Sequence, residues 1–282
     1  MSDDDKKPRA KVSEVYAQVI KDLTDAESLL EVPGENEVLA HKIAAQAMLS
    51  RVYLQKGDYP NAAAAANRAI ETNDSDGPFH LMNTYDAAFP YNSNETAVLG
   101  NTSEDVFATQ VSNTDGVNDF NTYFSQRGRG DIYMSDNHIN LYEANDQRLG
   151  LFEEVDNGVY VTYKFDMPYA SVHLIRLAEL YLTRAEANFR SGTSLGASPL
   201  DDINVIRGRA GLDLYDDVSD ITLARILRER KLELAFEGFT LHDAKRTQTN
   251  IGGLAWNSPL LVLPIPERER LVNTNLKQND GY

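Results

Sequence analysis

The chain contains no cysteine. That excludes a disulfide framework, a thiolate metal site, a cysteine nucleophile and a lipid carried on sulfur. Tryptophan occurs once, at Trp256. Long hydrophobic runs are also missing: apolar stretches such as PLLVLPIP at 259–266 are too short and proline-broken to span a bilayer as a helix. The opening MSDDDKKPRAKVSEVY has no hydrophobic signal core. Basic residues are scarce, with 27 Lys and Arg against 43 Asp and Glu, a formal charge of −16. A surface of that sign repels phosphate backbones and anionic membranes, so nucleic acid is not an expected partner, whereas neutral ligands such as sugars are compatible.

Several chemical signatures are missing too. His41, His80, His138, His173 and His242 form no HxxxH or HExxH pair, so no zinc site is expected. Asp131 and Asp136 belong to no ordered calcium-loop pattern, and turn chemistry is their expected role. Gly128-Arg129-Gly130 lacks the strand–turn–helix setting of a nucleotide loop, and no GxSxG occurs. Neither a metal nor a cofactor is expected.

What is present is helical periodicity at both ends. Val15, Val19, Leu23, Ala26 and Leu30 predict an amphipathic helix that stops at Pro33-Gly34. A second helix is expected from Val38 to Gln55, closed by Gly57, and an alanine-rich third from Asn61 to Glu71, opened by Pro60. The unit QAMLSRVYLQKGDYPNAAAAANRAIE at 46–71 has the small residues and the turn-side tyrosines of a tetratricopeptide hairpin. Such units need neighbours to bury their outer faces. From residue 72 to 170 the chain turns to Gly, Asn, Asp, Ser and Thr with scattered aromatics; Val106–Val111 and Val159–Phe165 are candidate strands. Helical spacing returns over Ser171–Arg190, Pro199–Ala210 with Gly211 as cap, and Asp220–Glu237. Beyond Gly238 a loop with one short helix after Pro266 is expected.

Glu229, Glu233 and Glu237 fall four residues apart on one stripe. Paired carboxylates can do acid–base work, but no nucleophile or base pattern accompanies them. A solvated face or a buried ion network is the expected role, with Arg207, Arg209, Lys245 and Arg246 as candidate partners. The aromatic residues of the insert are better binding candidates. Phe120, Asn121, Tyr123, Phe124 and Arg127 sit in NDFNTYFSQRGRG, Tyr91 in AFPYNSN and Trp256 in GGLAWNSP. A flat ring beside amide and guanidinium donors complements the C–H face and hydroxyl rim of a sugar, although any one ring could equally anchor its loop to the core.

IRLAELYLTRAEANFRSG at 175–192 with INVIRGRAGL at 203–212, ILRERKLELAFEGFTLHDAKR at 226–246 and PIPERERLVNTNLKQNDGY at 264–282 resemble the SusD/RagB family. PRAKVSEVYAQVIKDLTDAESLL at 8–30 and the unit at 46–71 look like that family's middle region. The resemblance implies a mainly α fold of tetratricopeptide-like repeats with a long loop-rich insert. It implies non-catalytic capture of glycan, or of peptide, at the outer-membrane surface, and delivery to a SusC-like TonB-dependent transporter. The expected organisation is a disordered leader at 1–12 and a SusD-like domain at 13–282, divided into helices at 13–78, the insert at 79–170 and a helical region at 171–282. The chain is short for the family and lacks the lipidated cysteine of its members, so it is expected to be a C-terminal fragment or a reduced member. A helical scaffold that docks on a transporter with little ligand affinity of its own is the alternative. A glycoside hydrolase would need two carboxylates at a set separation across a cleft.

Overall fold

The computed structural model describes residues 6–34 and 38–282. The expected disordered leader therefore lies partly outside the described residues. Residues 6–11 are extended rather than helical. Asn275 and Asn273 of the C-terminal tail donate to the Lys6 and Lys7 carbonyls, and Arg9 bonds Asn279.

Helix α1, Val12–Leu29, packs on α2, Lys42–Lys56, which pairs with α3, Tyr59–Asp76. Sequence periodicity started α2 at Val38, but His41 delays it. The His41 Nδ1 atom accepts from the Ala44 N–H, and Nε2 meets the Val106 carbonyl at 2.8 Å, so the cap is tied to the insert. Gly57 ends α2 at φ 79°, a left-handed conformation that suits glycine. Pro60 lies in the first turn of α3, where its missing N–H costs nothing. Ala62, Ala63, Ala65, Ala66 and Ala69 are buried, and their small side chains let α3 approach α2 and α7 closely.

The insert holds three short α-helices, α4, Tyr85–Ala88, then α5, Asp119–Phe124, and α6, Asp136–Ile139, and a 3-10 turn at Gln147–Leu151. Its strands are β1, Asp105–Thr109, then β2, Met134–Ser135, β3, Phe152–Asp156, and β4, Val159–Thr162, followed by β5, Val172–Arg176. β1 pairs antiparallel with β5, and β2, β4 and β3 form a second antiparallel sheet in that order.

Strand β5 and helix α7, Leu177–Ser191, occupy the segment predicted as one helix from Ser171. Pairing with β1 at Ala108–His173 and Thr109–Val172 overrides the helical period there. Helices α8, Pro199–Arg209, and α9, Leu223–Glu233, pack against α7. Ala178, Leu182, Ile203, Ile206 and Ile226 close this core. The predicted helix through Glu237 stops at Glu233, because Phe236 takes φ 66° to set its ring against Phe124 and Phe152. A helix missed in the sequence, α10, Phe239–Thr247, follows Gly238; α11, Glu267–Val272, follows Pro266 as expected. The fold is mainly α, tetratricopeptide-like hairpins carrying a loop-rich insert.

Candidate functional site

The glutamate stripe is a buried ion network. Glu229, Glu233 and Glu237 are all enclosed, and each faces cations. Arg176 reaches Glu104 at 2.6 Å, Glu233 at 3.1 Å and Glu237 at 2.8 Å. Arg148 joins Asp146 at 2.7 Å and Glu229 at 2.6 Å, Lys164 joins Glu237 at 2.6 Å, and Arg209 bridges Glu104 and Glu233. Arg207 approaches Glu229 at 3.6 Å. Five buried cations (Arg148, Lys164, Arg176, Arg207, Arg209) thus face five buried anions (Glu104, Asp146, Glu229, Glu233, Glu237), and Arg207 also pairs with the more exposed Glu143 at 3.0 Å. Of the four partners named from sequence, Arg207 and Arg209 take part. Arg246 instead binds Glu186 and Asp243, and the Lys245 ammonium donates to the Leu261 carbonyl. Burial works to raise the Glu237 carboxyl, but Arg176 and Lys164 outweigh it and hold it at about 2. Burial opposes ionisation of Glu233 as well, and Arg209, Arg176 and Arg148 pull it well below the usual range. Glu233 and Glu237, held this way, have no proton to give near neutrality.

The residues predicted to bind ligand divide into four environments. Asn121 is 3% exposed, and its amide donates to the Phe165 carbonyl at 2.9 Å, so it braces α5. Phe120 and Phe124 stack on one side of α5, 5.7 Å between ring centres, and both lie against Phe165. Tyr123, Tyr91 and Arg127 lie on the outer surface. Trp256 stands apart in the C-terminal loop, where its backbone N–H donates to Asn250; among the described residues no ring contact or hydrogen bond joins it to the insert.

The outer group has a defined geometry. The Arg127 guanidinium sits 4.6 Å from the centre of the Tyr91 ring, and that of Arg129 sits 5.4 Å from Tyr123. Both rings stay open, at 50% and 38% exposure. Arg127 is held by Glu95 at 2.7 Å and Asp166 at 3.3 Å, and Arg129 by Asp131 at 2.7 Å. Asp166 also accepts from the Ser125 hydroxyl at 2.6 Å, and burial pushes its carboxyl up against the pull of Ser125 and Arg127. Gly128 lets the two arginines flank one tight turn, since a Cβ there would strike the Asn121 carbonyl and the Thr122 backbone. Asn118 anchors the assembly: it caps α5 through the Asn121 N–H at 2.8 Å and donates to the Met167 and Pro168 carbonyls. Arg129 lies in the same NDFNTYFSQRGRG run as the candidate rings, and the structure sets its guanidinium beside Tyr123.

These features define a class of protein: a tetratricopeptide-like helical scaffold presenting an aromatic, arginine-backed loop surface. The family described as "SusD family" matches residues 156–257, and that described as "Starch-binding associating with outer membrane" matches residues 2–54. The starch-binding protein SusD of Bacteroides thetaiotaomicron is 34% identical over 128 residues, covering 41% of this chain and 22% of that protein. A SusD superfamily protein from Bacteroides vulgatus superposes with a TM-score of 0.82 at 26% identity, covering 98% of this chain and 67% of the other. A laminarin-binding SusD-like protein shares the fold, with a TM-score of 0.72 at 23% identity over 97% of this chain and 70% of its own. Together these matches support membership of the SusD/RagB family.

Proposed function

We propose that this protein binds glycan without cleaving it, on the outer surface of its insert, and hands it to a SusC-like TonB-dependent transporter in the outer membrane. The observation that carries this reading is the pair of open tyrosine rings, each backed by an arginine from one turn. Two fixed rings offer stacking faces for successive sugars, and the guanidinium and carboxylate groups around them offer hydroxyl partners. The starch-binding description of the matched family and of SusD itself supports glycan as the ligand class, and the family's outer-membrane association supports the location. The glutamate stripe supports the non-catalytic reading, since its members are bound up in ion pairs instead of facing each other across a cleft.

Calorimetry with maltooligosaccharides and laminarioligosaccharides tests the reading. Binding by the intact chain that is lost when Tyr91 and Tyr123 are both changed to alanine is the expected result. Undiminished binding by that double variant would move the site elsewhere. Product release from either glycan would overturn the non-catalytic part.

The scaffold alternative has its own support. Val12 and Leu29 on α1, with Leu263 and Leu271 in the tail, expose aliphatic side chains that a partner protein could cover. Co-purification of a transporter with a chain that binds no glycan would favour it.

A further inference from the structure

We infer that a second, enclosed subsite lies where the insert meets the helices, and that it takes a single neutral sugar ring on His173. A cleft of about 400 Å³ opens between α2, β5 and α10, within the range of small-molecule sites, roughly 300–1,000 Å³. Phe120 and Phe165 form one wall and Phe239 another, with Gln55 and Leu174 at the rim.

His173 supplies the unpartnered polar atom. Its side chain is only 7% exposed, and Nδ1 is bonded to the Asp105 carboxylate. The other Asp105 oxygen accepts from the Thr102 N–H at 2.7 Å and hydroxyl at 3.0 Å, so the carboxylate is fixed. A fixed carboxylate at Nδ1 keeps that proton in place and sets the ring orientation. Among the described residues Nε2 has no protein partner, and it is not among the sealed, unpartnered atoms. It therefore borders the open space of the cleft. Nε2 accepts a hydrogen bond when the ring is neutral and donates one when it is charged. A hydroxyl suits both states, because it can donate or accept.

The charges around the cleft decide against an ionic ligand. Arg51 is held by Glu179 through two hydrogen bonds of 2.8 and 2.6 Å, Arg246 by Glu186, Arg230 by Asp243, and Glu237 by Arg176 and Lys164. Among the described residues each Arg, Asp and Glu lining the cleft is thus ion-paired, so an anion or cation entering here would find no free arginine or carboxylate to replace its hydration. Aromatic walls plus one hydroxyl partner describe a neutral pyranose. The preference for a sugar over other neutral hydroxyl compounds rests on the proposed glycan function; the residues are distinct from the tyrosine surface.

Imidazole nitrogen NMR on the intact chain, titrated with methyl glucosides and methyl galactosides, tests the inference. At least one glycoside should move the His173 Nε2 resonance saturably. Glucuronate should bind at least about tenfold more weakly, for lack of a free cation. Leu174→Trp, at the exposed rim, should block the response while the chain stays folded. Tyr91→Ala with Tyr123→Ala should leave it intact. An unmoved His173 resonance, with glycan still bound at the tyrosines, would overturn the subsite and spare the surface reading. A His173 response that survives loss of all binding at the tyrosines would support the subsite and count against that reading. A larger response to N-acetyltyrosinamide than to any glycoside would assign the cleft to a peptide and overturn the sugar.

Discussion

The α2–α3 hairpin and the insert both pack on the C-terminal helical region, but by different means. The hairpin relies chiefly on alanines and aliphatics, with the Arg51–Glu179 ion pair and the Arg184–Asn67 hydrogen bond beside them. The insert has little regular structure and is fastened largely by charge: Glu104, Asp146, Arg148 and Lys164 belong to it, while Arg176 ends β5, Arg207, Arg209, Glu229 and Glu233 lie on α8 and α9, and Glu237 lies in the turn after α9. Burying ten charges carries a heavy desolvation cost, offset only when every ion finds its partners. The insert therefore depends on a complete set of ion-pair contacts to a degree that the helical hairpin does not. The surface it presents inherits that rigidity.

The largest expected effect comes from breaking the fastening. Arg176→Ala leaves Glu104, Glu233 and Glu237 short of a cation and should cost about 3–5 kcal/mol of stability. Thermal unfolding should fall by on the order of 10 °C; a shift within 2–3 °C, about 1 kcal/mol, would show that the network contributes little. Acid should probe the same set. Glu233 and Glu237 are held below their ordinary value of 4.5, so the unfolded chain binds more protons than the folded one as pH drops beneath it. Their contribution is therefore intact above 4.5 and is lost as pH falls through about 2. Glu229 is raised by burial against Arg148 and Arg207, and offsets part of this. Denaturant midpoints measured from neutral pH downward should decline over that window, and a flat profile would contradict the assignment.

Changes at the presented surface should spare stability and alter binding. Tyr91→Ala should weaken glycan binding about tenfold by calorimetry, with unfolding unchanged. Asn118→Ala should do a little of both, since it removes a cap and two clamps at a cost of about 1 kcal/mol. If it lowers stability but leaves affinity alone, the surface is less dependent on its support than the comparison implies. Trp256→Ala should change affinity by less than about twofold, because a ring outside the contact set contributes little to binding. A larger loss would bring the C-terminal loop into the site.

The sequence made the helical part readable because its rules are local. Small residues in α3, Gly57, Pro60 and Gly211 each act within a turn or two of chain, so the elements fall near where periodicity puts them. The failures come from distant partners. His41 shortens α2 because of Val106, β5 displaces a helical start because of β1, and α9 ends early as Phe236 turns toward Phe124. The candidate site was legible only as composition. Tyr91, Tyr123 and Arg127 stood out as sugar-compatible types, but nothing in the chain marks Arg127 as lying over Tyr91, or Asp105 as holding His173 across 68 positions.

The way the ten charges are distributed also bears on the order of folding. They come from stretches around residues 104, 147, 164, 176, 208 and 233, and none is satisfied by its immediate neighbours alone except the Asp146–Arg148 pair. Stripping water from any of them before the others arrive is uphill. The lock therefore closes late, after the helices have docked. The insert and the helical body are therefore expected to melt as one unit, in a single thermal transition.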